Sequence, residues 1–258
     1  MNLEVIKQVR KNVPLIHHLT NQVVMNFTAN GLLSFGGAPV MAKAEEEAHN
    51  MASLADGVLL NIGTITRADI KAMILAGQAA NQKGIPVVLD PVGVAATSFR
   101  TDAVNEILKE VKPTVIKGNA GELANLVDTP WETKGVESIG EGNIAEIAEK
   151  VSIKYQTTAV LTGKTDIIHT TKERITNETG HPLLAKVTGA GCLLGSILAA
   201  CLTTDAPIED QAYTAVHFYG LAASYAAANP SVQGNGTFIA SFLDALSRDP
   251  GTLESVIT

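Results

Sequence analysis

The chain has 258 residues, of which 46% are hydrophobic, 17% charged and only 4% aromatic, and its formal net charge is −7. This is the composition of a globular protein with an aliphatic core; it excludes disorder, and the acidic balance provides no basic stripe for nucleic acid or an anionic membrane. The N-terminus lacks a signal-peptide pattern and no run of 18 apolar residues occurs, so a cytoplasmic protein forming one domain over residues 1–258 is expected.

Leu3, Ile6 and Val9 recur at helical spacing before Pro14, and Leu15 to Leu19 reads as a short strand. His17 and His18 are neighbours on that strand, so they face opposite sides and cannot share a metal. Thr20-Asn21 has the form of a cap for a helix from Val23 to Phe35, closed by Gly36-Gly37. Ala38 to Met41 is briefly extended and Glu45 to Leu54 is helical. Gly57 to Gly63 reads as a buried strand, Arg67 to Gln82 as a helix closed by Gly84, and Ile85 to Gly93 as a further strand with Asp90 near its end. Thr114 to Asn119 leads into a helix from Gly121 to Val127. Asp128 to Gly142 is a Gly- and charge-rich loop, and the helix Ile144 to Lys154 precedes the strand Thr158 to Gly163. Apolar strands alternating with helices predict right-handed βαβ units. Asp166 to His169 and Glu173 to Asn177 then predict an antiparallel edge hairpin, and the rest is helical, near Ala190 to Thr203, Ile208 to Ala228 and Thr237 to Arg248. The fold class is α/β, with a mostly parallel central sheet and helices on both faces.

Ligands of such sheets bind beyond the C-terminal ends of the strands. The polar residues there are Asn21, Asn61, Asp90, Lys117, Asn119 and Thr162, with Gly63 beside Asn61 and Glu122 one turn past Asn119. Asp90 and Glu122 together could hold Mg²⁺, partly through water; alternatively Asp90 is an Asp-Pro turn residue and Glu122 a first-turn acid favoured by the helix dipole. The stretch Lys186 to Gly195 is a place to hold phosphate: Gly189 and Gly191 let the backbone turn tightly, and the first free N–H groups of the following helix attract an anion. Cys192 sits at that helix start, where a thiol's pKa tends to fall; the alternative is a small buried cysteine at an ordinary helix N-terminus. Cys192 and Cys201 are nine residues apart in one helical segment and are poorly placed to pair. Thr162-Gly163-Lys164-Thr165 only imitates the tail of a P-loop, since a β-rich run follows it. Gly189-Ala190-Gly191 comes too late in the chain, after a hairpin, for a dinucleotide fingerprint.

Thr188-Gly189-Ala190-Gly191-Cys192 resembles the anion-hole turn of the ribokinase-like superfamily, whose usual form ends in Asp, and Asn119-Ala120-Gly121-Glu122 matches that superfamily's magnesium motif. The runs Ile16 to Asn30, Gly36 to Ala42 and Asp90 to Val94 resemble the hydroxyethylthiazole kinases, over essentially the whole chain. The resemblance implies a three-layer α/β/α fold and ATP-dependent phosphorylation of the hydroxyl of 4-methyl-5-(2-hydroxyethyl)thiazole for thiamine salvage, with Mg²⁺. It further implies that Met41 and Gly189 contact the thiazole, that Asn21 and Gly63 line its pocket, and that Lys117 and Thr162, with Asn119, meet ATP. Asp90 and Glu122 would hold the metal, and Gly189, Ala190, Gly191 and Cys192 would form the catalytic turn. A homotrimer with active sites between subunits is implied as well. Two alternatives stand beside it: a hydroxymethylpyrimidine kinase with a similar Cys-bearing turn, and a non-catalytic thiazole or nucleotide sensor.

Overall fold

The computed structural model describes residues 1–130 and 141–254. Eight strands form one sheet in the order β2-β1-β3-β4-β5-β6-β7-β8: β1 Leu15–Leu19, β2 Ala38–Val40, β3 Gly57–Asn61, β4 Val87–Asp90, β5 Val115–Asn119, β6 Thr158–Thr162, β7 Asp166–His169 and β8 Arg174–Asn177. The pairings from β2 to β6 are parallel and those of β6 with β7 and β7 with β8 are antiparallel. The expected edge hairpin is therefore present.

Alternation along the strands sorts their side chains into two cores. Ile16, Leu59, Val88, Val115, Val160 and Ile168 pack with α1 (Leu3–Asn12), α2 (Met25–Phe35), α8 (Ala190–Cys201), α9 (Ile208–Ala227) and α10 (Asn235–Leu246). Leu19, Val58, Leu60, Val87, Leu89, Ile116, Ala159 and Leu161 pack with α3 (Glu45–Leu54), α4 (Arg67–Lys83), α5 (Ser98–Glu110), α6 (Ala120–Leu126) and α7 (Glu141–Tyr155). The result is three layers. Every residue of α8 from Cys192 to Cys201 is buried, because this helix is apolar on all sides and lies between the sheet and α9. A short α11 (Pro250–Glu254) ends the described chain.

Several expectations differ from the structure. Thr20-Asn21 does not cap α2: the helix starts at Met25 with Val24 as an uncapped N-cap, because the Asn21 amide is taken by partners on other elements. Pro86 and Pro91 bracket β4, which shortens the strand expected over Ile85 to Gly93. The helix after β5 starts at Ala120, since Asn119 caps it reciprocally with Glu122. α5 has no counterpart in the sequence reading, and Thr97 caps it by accepting from the Arg100 N–H. The loop expected over Asp128 to Gly142 lies in part outside the described residues, at 131–140, and α7 already begins at Glu141. Both cysteines are free and buried. Among the described residues, no helix is long and apolar enough to cross a membrane.

Candidate active site

Leu59, Val88 and Val115 face the α8 side of the sheet, so two residues later Asn61, Asp90 and Lys117 face it too, the first two ending β3 and β4 and Lys117 at the middle of the adjacent β5. All three are buried. One hydrogen-bonded row joins them. Asn21 Nδ2 donates to Asn61 Oδ1 at 3.0 Å and to Cys192 Sγ at 3.4 Å. Asn61 Nδ2 donates to Asp90 Oδ2 at 2.9 Å, and Lys117 Nζ reaches the same oxygen at 3.2 Å. Asp90 Oδ1 is buried with no hydrogen-bond partner among the described residues.

The electrostatics follow from this burial. Asp90 is pushed up to about 6, because full burial outweighs the Lys117 ammonium and the Asn61 amide, with Glu122 adding repulsion. Lys117 also loses by burial, yet Asp90, Cys192 and Glu122 more than offset this, and its pKa rises. Lys117 is thus a fixed cation at neutral pH. Cys192 corrects an expectation: its thiol is raised rather than lowered. Burial and the charge of Asp90 outweigh Lys117, Asn61 and Asn21.

Above this row lies the turn into α8. Gly189 holds φ +89°, where a Cβ would stand 2.5 Å from Val24 Cγ1, so only glycine fits without shifting the start of α2. The Ala190 N–H donates to Val187 O and that of Leu193 to Gly189 O. The amides between them, at Gly191 and Cys192, are the helix-start donors that remain for an anion. A Cβ on Gly191 would lie 3.2 Å from Lys117 Nζ, which puts the ammonium directly against that turn. Tyr219 of α9 anchors the turn by donating to Ala190 O at 2.6 Å.

Around this centre, Gly63 packs against Asn21, since a Cβ on it would come within 2.8 Å of the Asn21 side chain. Glu122 Oε1 accepts from the Gly93 N–H at 2.9 Å and Oε2 from the Asn119 N–H at 2.8 Å. Thr162 pairs across the sheet with Asn119 and donates to Gly118 O at 3.3 Å. Met41 lies just past the end of edge strand β2, which pairs with β1. Its flank is held by His17 Nε2 on Ala42 O at 2.7 Å and by the Lys43–Asp69 ion pair at 2.9 Å. His18 faces the other way, as expected, and bonds Ser196 Oγ at 2.7 Å. Its Nδ1 lies against Ile16 O and is therefore the donor, which leaves Nε2 to accept from Ser196.

Asn21, Gly63, Asp90, Lys117 and the 189–192 turn thus come together, with Asn119, Glu122 and Thr162 on one flank. Sequence reasoning noted Asn61 as a strand-end residue without giving it a role, and it missed Tyr219 and Arg100. Two acids, Asp90 and Glu122, adjoin the site; no group of three or more His, Cys, Asp or Glu suited to a metal occurs among the described residues. Asp90 Oδ1, an orphaned hard oxygen, and the Glu122 carboxylate fit Mg²⁺ by donor chemistry.

Comparison with known proteins agrees with this geometry. Residues 6–249 match the model of the hydroxyethylthiazole kinase family. The chain is 60% identical over 253 residues, 98% of each chain, to hydroxyethylthiazole kinase 1 of Oceanobacillus iheyensis. It is similar to the solved hydroxyethylthiazole kinase of Pyrococcus horikoshii OT3, with 36% identity, a TM-score of 0.88 and coverage of 98% and 95%. A ribokinase-like superfamily protein from Enterococcus faecalis V583, 15% identical with a TM-score of 0.68 and coverage of 99% and 95%, shares the fold.

Proposed function

The chain belongs to the hydroxyethylthiazole kinase family and phosphorylates hydroxyethylthiazole with ATP in thiamine salvage, and we propose that the transfer takes place between the first turn of α8 and the ends of β3, β4 and β5. One observation carries this placement: the Lys117 ammonium, fixed by Asp90, lies against Gly191 beneath the two free amides of the turn. Phosphoryl transfer asks the protein for positioning and charge neutralisation more than for covalent help. The Gly191 and Cys192 amides and Lys117 receive the oxygens of the transferring group. Asn119 and Thr162 flank ATP. Met41, Asn21, Gly63 and Gly189 shape the pocket for the thiazole and aim its hydroxyl at the turn. Asp90 and Glu122 would hold Mg²⁺, which supplies neutralisation of the phosphate charge when bound. Cys192 acts as a neutral thiol at the pocket floor, because its pKa is raised.

The enzyme works as a cytoplasmic homotrimer with active sites between subunits in this reading. Val23 and Leu33, large apolar residues 70% and 57% exposed at the start of and along the segment that covers Gly189, support such an interface. Light scattering gives the subunit number directly. A coupled ATPase assay offering the thiazole alcohol and the hydroxymethylpyrimidine alcohol side by side tests the activity, and turnover is expected with the thiazole. Preference for the pyrimidine, or binding without turnover, would replace this reading with one of the two alternatives.

A further inference from the structure

Arg100, on the first turn of α5, donates to three backbone carbonyls: Nη1 to Ile62 O and to Val92 O, each at 2.9 Å, and Nη2 to Gly63 O at 2.7 Å. It forms no ion pair with a carboxylate among the described residues. A half-buried guanidinium is thus devoted to backbone oxygens, and these belong to the loops that leave two adjacent strands, β3 and β4.

The two loops lead to different parts of the site. The β3 loop carries Gly63 against Asn21, Thr64 Oγ1 accepts from the Gln22 N–H at 3.1 Å, and Asn21 in turn touches Cys192. The β4 loop carries Gly93 in a left-handed turn at φ +66°, with its N–H on Glu122. Glu122 is itself fixed by Asn119, so the β4 loop has a second anchor on the side assigned to metal and ATP. The guanidinium fork ties that anchored loop to the acceptor-side loop, beyond the single backbone bond from the Ile62 N–H to Asp90 O at 3.2 Å. A lysine at this position could not replace it, because one ammonium cannot present the planar fork that meets three carbonyls.

We infer that Arg100 is a positioning residue for phosphoryl transfer, holding the acceptor pocket in register with the metal and ATP side. The inference rests on the reading that Asn21 and Gly63 line the thiazole pocket. The expected effect is one of alignment: a displacement of about 1 Å at the reacting atoms can cost on the order of 10²-fold in rate.

The test is steady-state kinetics of Arg100→Ala and Arg100→Lys beside the wild type, with melting temperatures. Both variants should lose on the order of 10- to 100-fold in kcat and raise the thiazole KM, while the ATP KM stays within about twofold. Millimolar guanidinium should restore part of the kcat of Arg100→Ala, and methylammonium should not, because only the former supplies the fork. A merely structural role would lower both affinities together with the melting temperature and would show no selective rescue. Wild-type kinetics in either variant, or a loss that tracks unfolding without guanidinium rescue, would overturn the inference. Should Arg100→Ala not fold, Arg100→Lys carries the KM comparison alone. Gly63→Ala, run in parallel, reports on the pocket reading itself: an unchanged thiazole KM there removes the premise and the inference together, whereas a raised KM beside inert Arg100 variants removes only the inference.

Discussion

Replacing Cys192 by alanine separates a base from a turn of amides. The thiol is 8% exposed, accepts from Asn21 at 3.4 Å and has a pKa raised by burial and by Asp90. Even an ordinary thiol with a pKa of about 8.5 is only about 3% thiolate at pH 7, and this one is less ionised. A thiolate base would therefore be present in very few molecules, and kcat would climb with pH toward the thiol's own titration. Alanine keeps every main-chain donor between Gly189 and Cys192. The expected cost for Cys192→Ala is less than about tenfold in kcat, below the 10²- to 10⁴-fold range of general acid–base help. The assay is kcat for the thiazole alcohol from pH 6 to 9 in both proteins, with the melting temperature as a folding control. A loss above about 10²-fold in a folded variant, together with a wild-type rise in kcat with pH that the variant lacks, would refute the reasoning and install Cys192 as the base.

Gly189→Ala should lower both stability and activity, because φ +89° and Val24 leave no room for a Cβ; the backbone strain alone is about 1–2 kcal/mol, measurable by urea denaturation. Met41→Ala should raise the thiazole KM more than the ATP KM, and equal effects would make Met41 plain packing. His18 is fully buried with its pKa lowered from 6.5 to about 4, chiefly by burial. Between those values the unfolded chain takes up a proton that the folded one refuses, so this residue lowers stability as the pH falls from about 6.5 to 4, by up to about 3 kcal/mol. His18→Gln should remove that part of the acid sensitivity; a wild-type minus variant stability difference that stays constant with pH would refute it.

The parallel sheet was legible because its strands are short apolar runs bounded by glycine or proline, as at Gly57–Asn61 and Val87–Asp90. α5 was missed although Phe99, Ala103, Val104, Ile107 and Leu108 have the spacing of an amphipathic helix behind the Thr97 cap, and Arg100 was lost with it. Asn21 shows a different limit. Locally it has the form of a helix cap, but its amide is taken by Asn61 and Cys192, 40 and 171 residues away, and tertiary partners override local preference. The Asn119–Glu122 pair was read as a metal motif and is also a capping box; one pattern serves both descriptions. The raised thiol of Cys192 could not be read from its helix-start position, since burial depends on residues far away in the chain.

The Asp90–Lys117 pair has a consequence for how this enzyme can be improved. Two opposite charges held out of water contribute little to stability, and apolar replacements of similar volume are often neutral or favourable. The unfavourable solvation is met when the chain folds, so the cation is already stripped of water and aimed when a phosphate arrives. Selection for thermal resilience alone would therefore drift toward an aliphatic pair at these positions and a sturdier but silent protein, and any stabilisation campaign on this fold has to keep turnover in its screen.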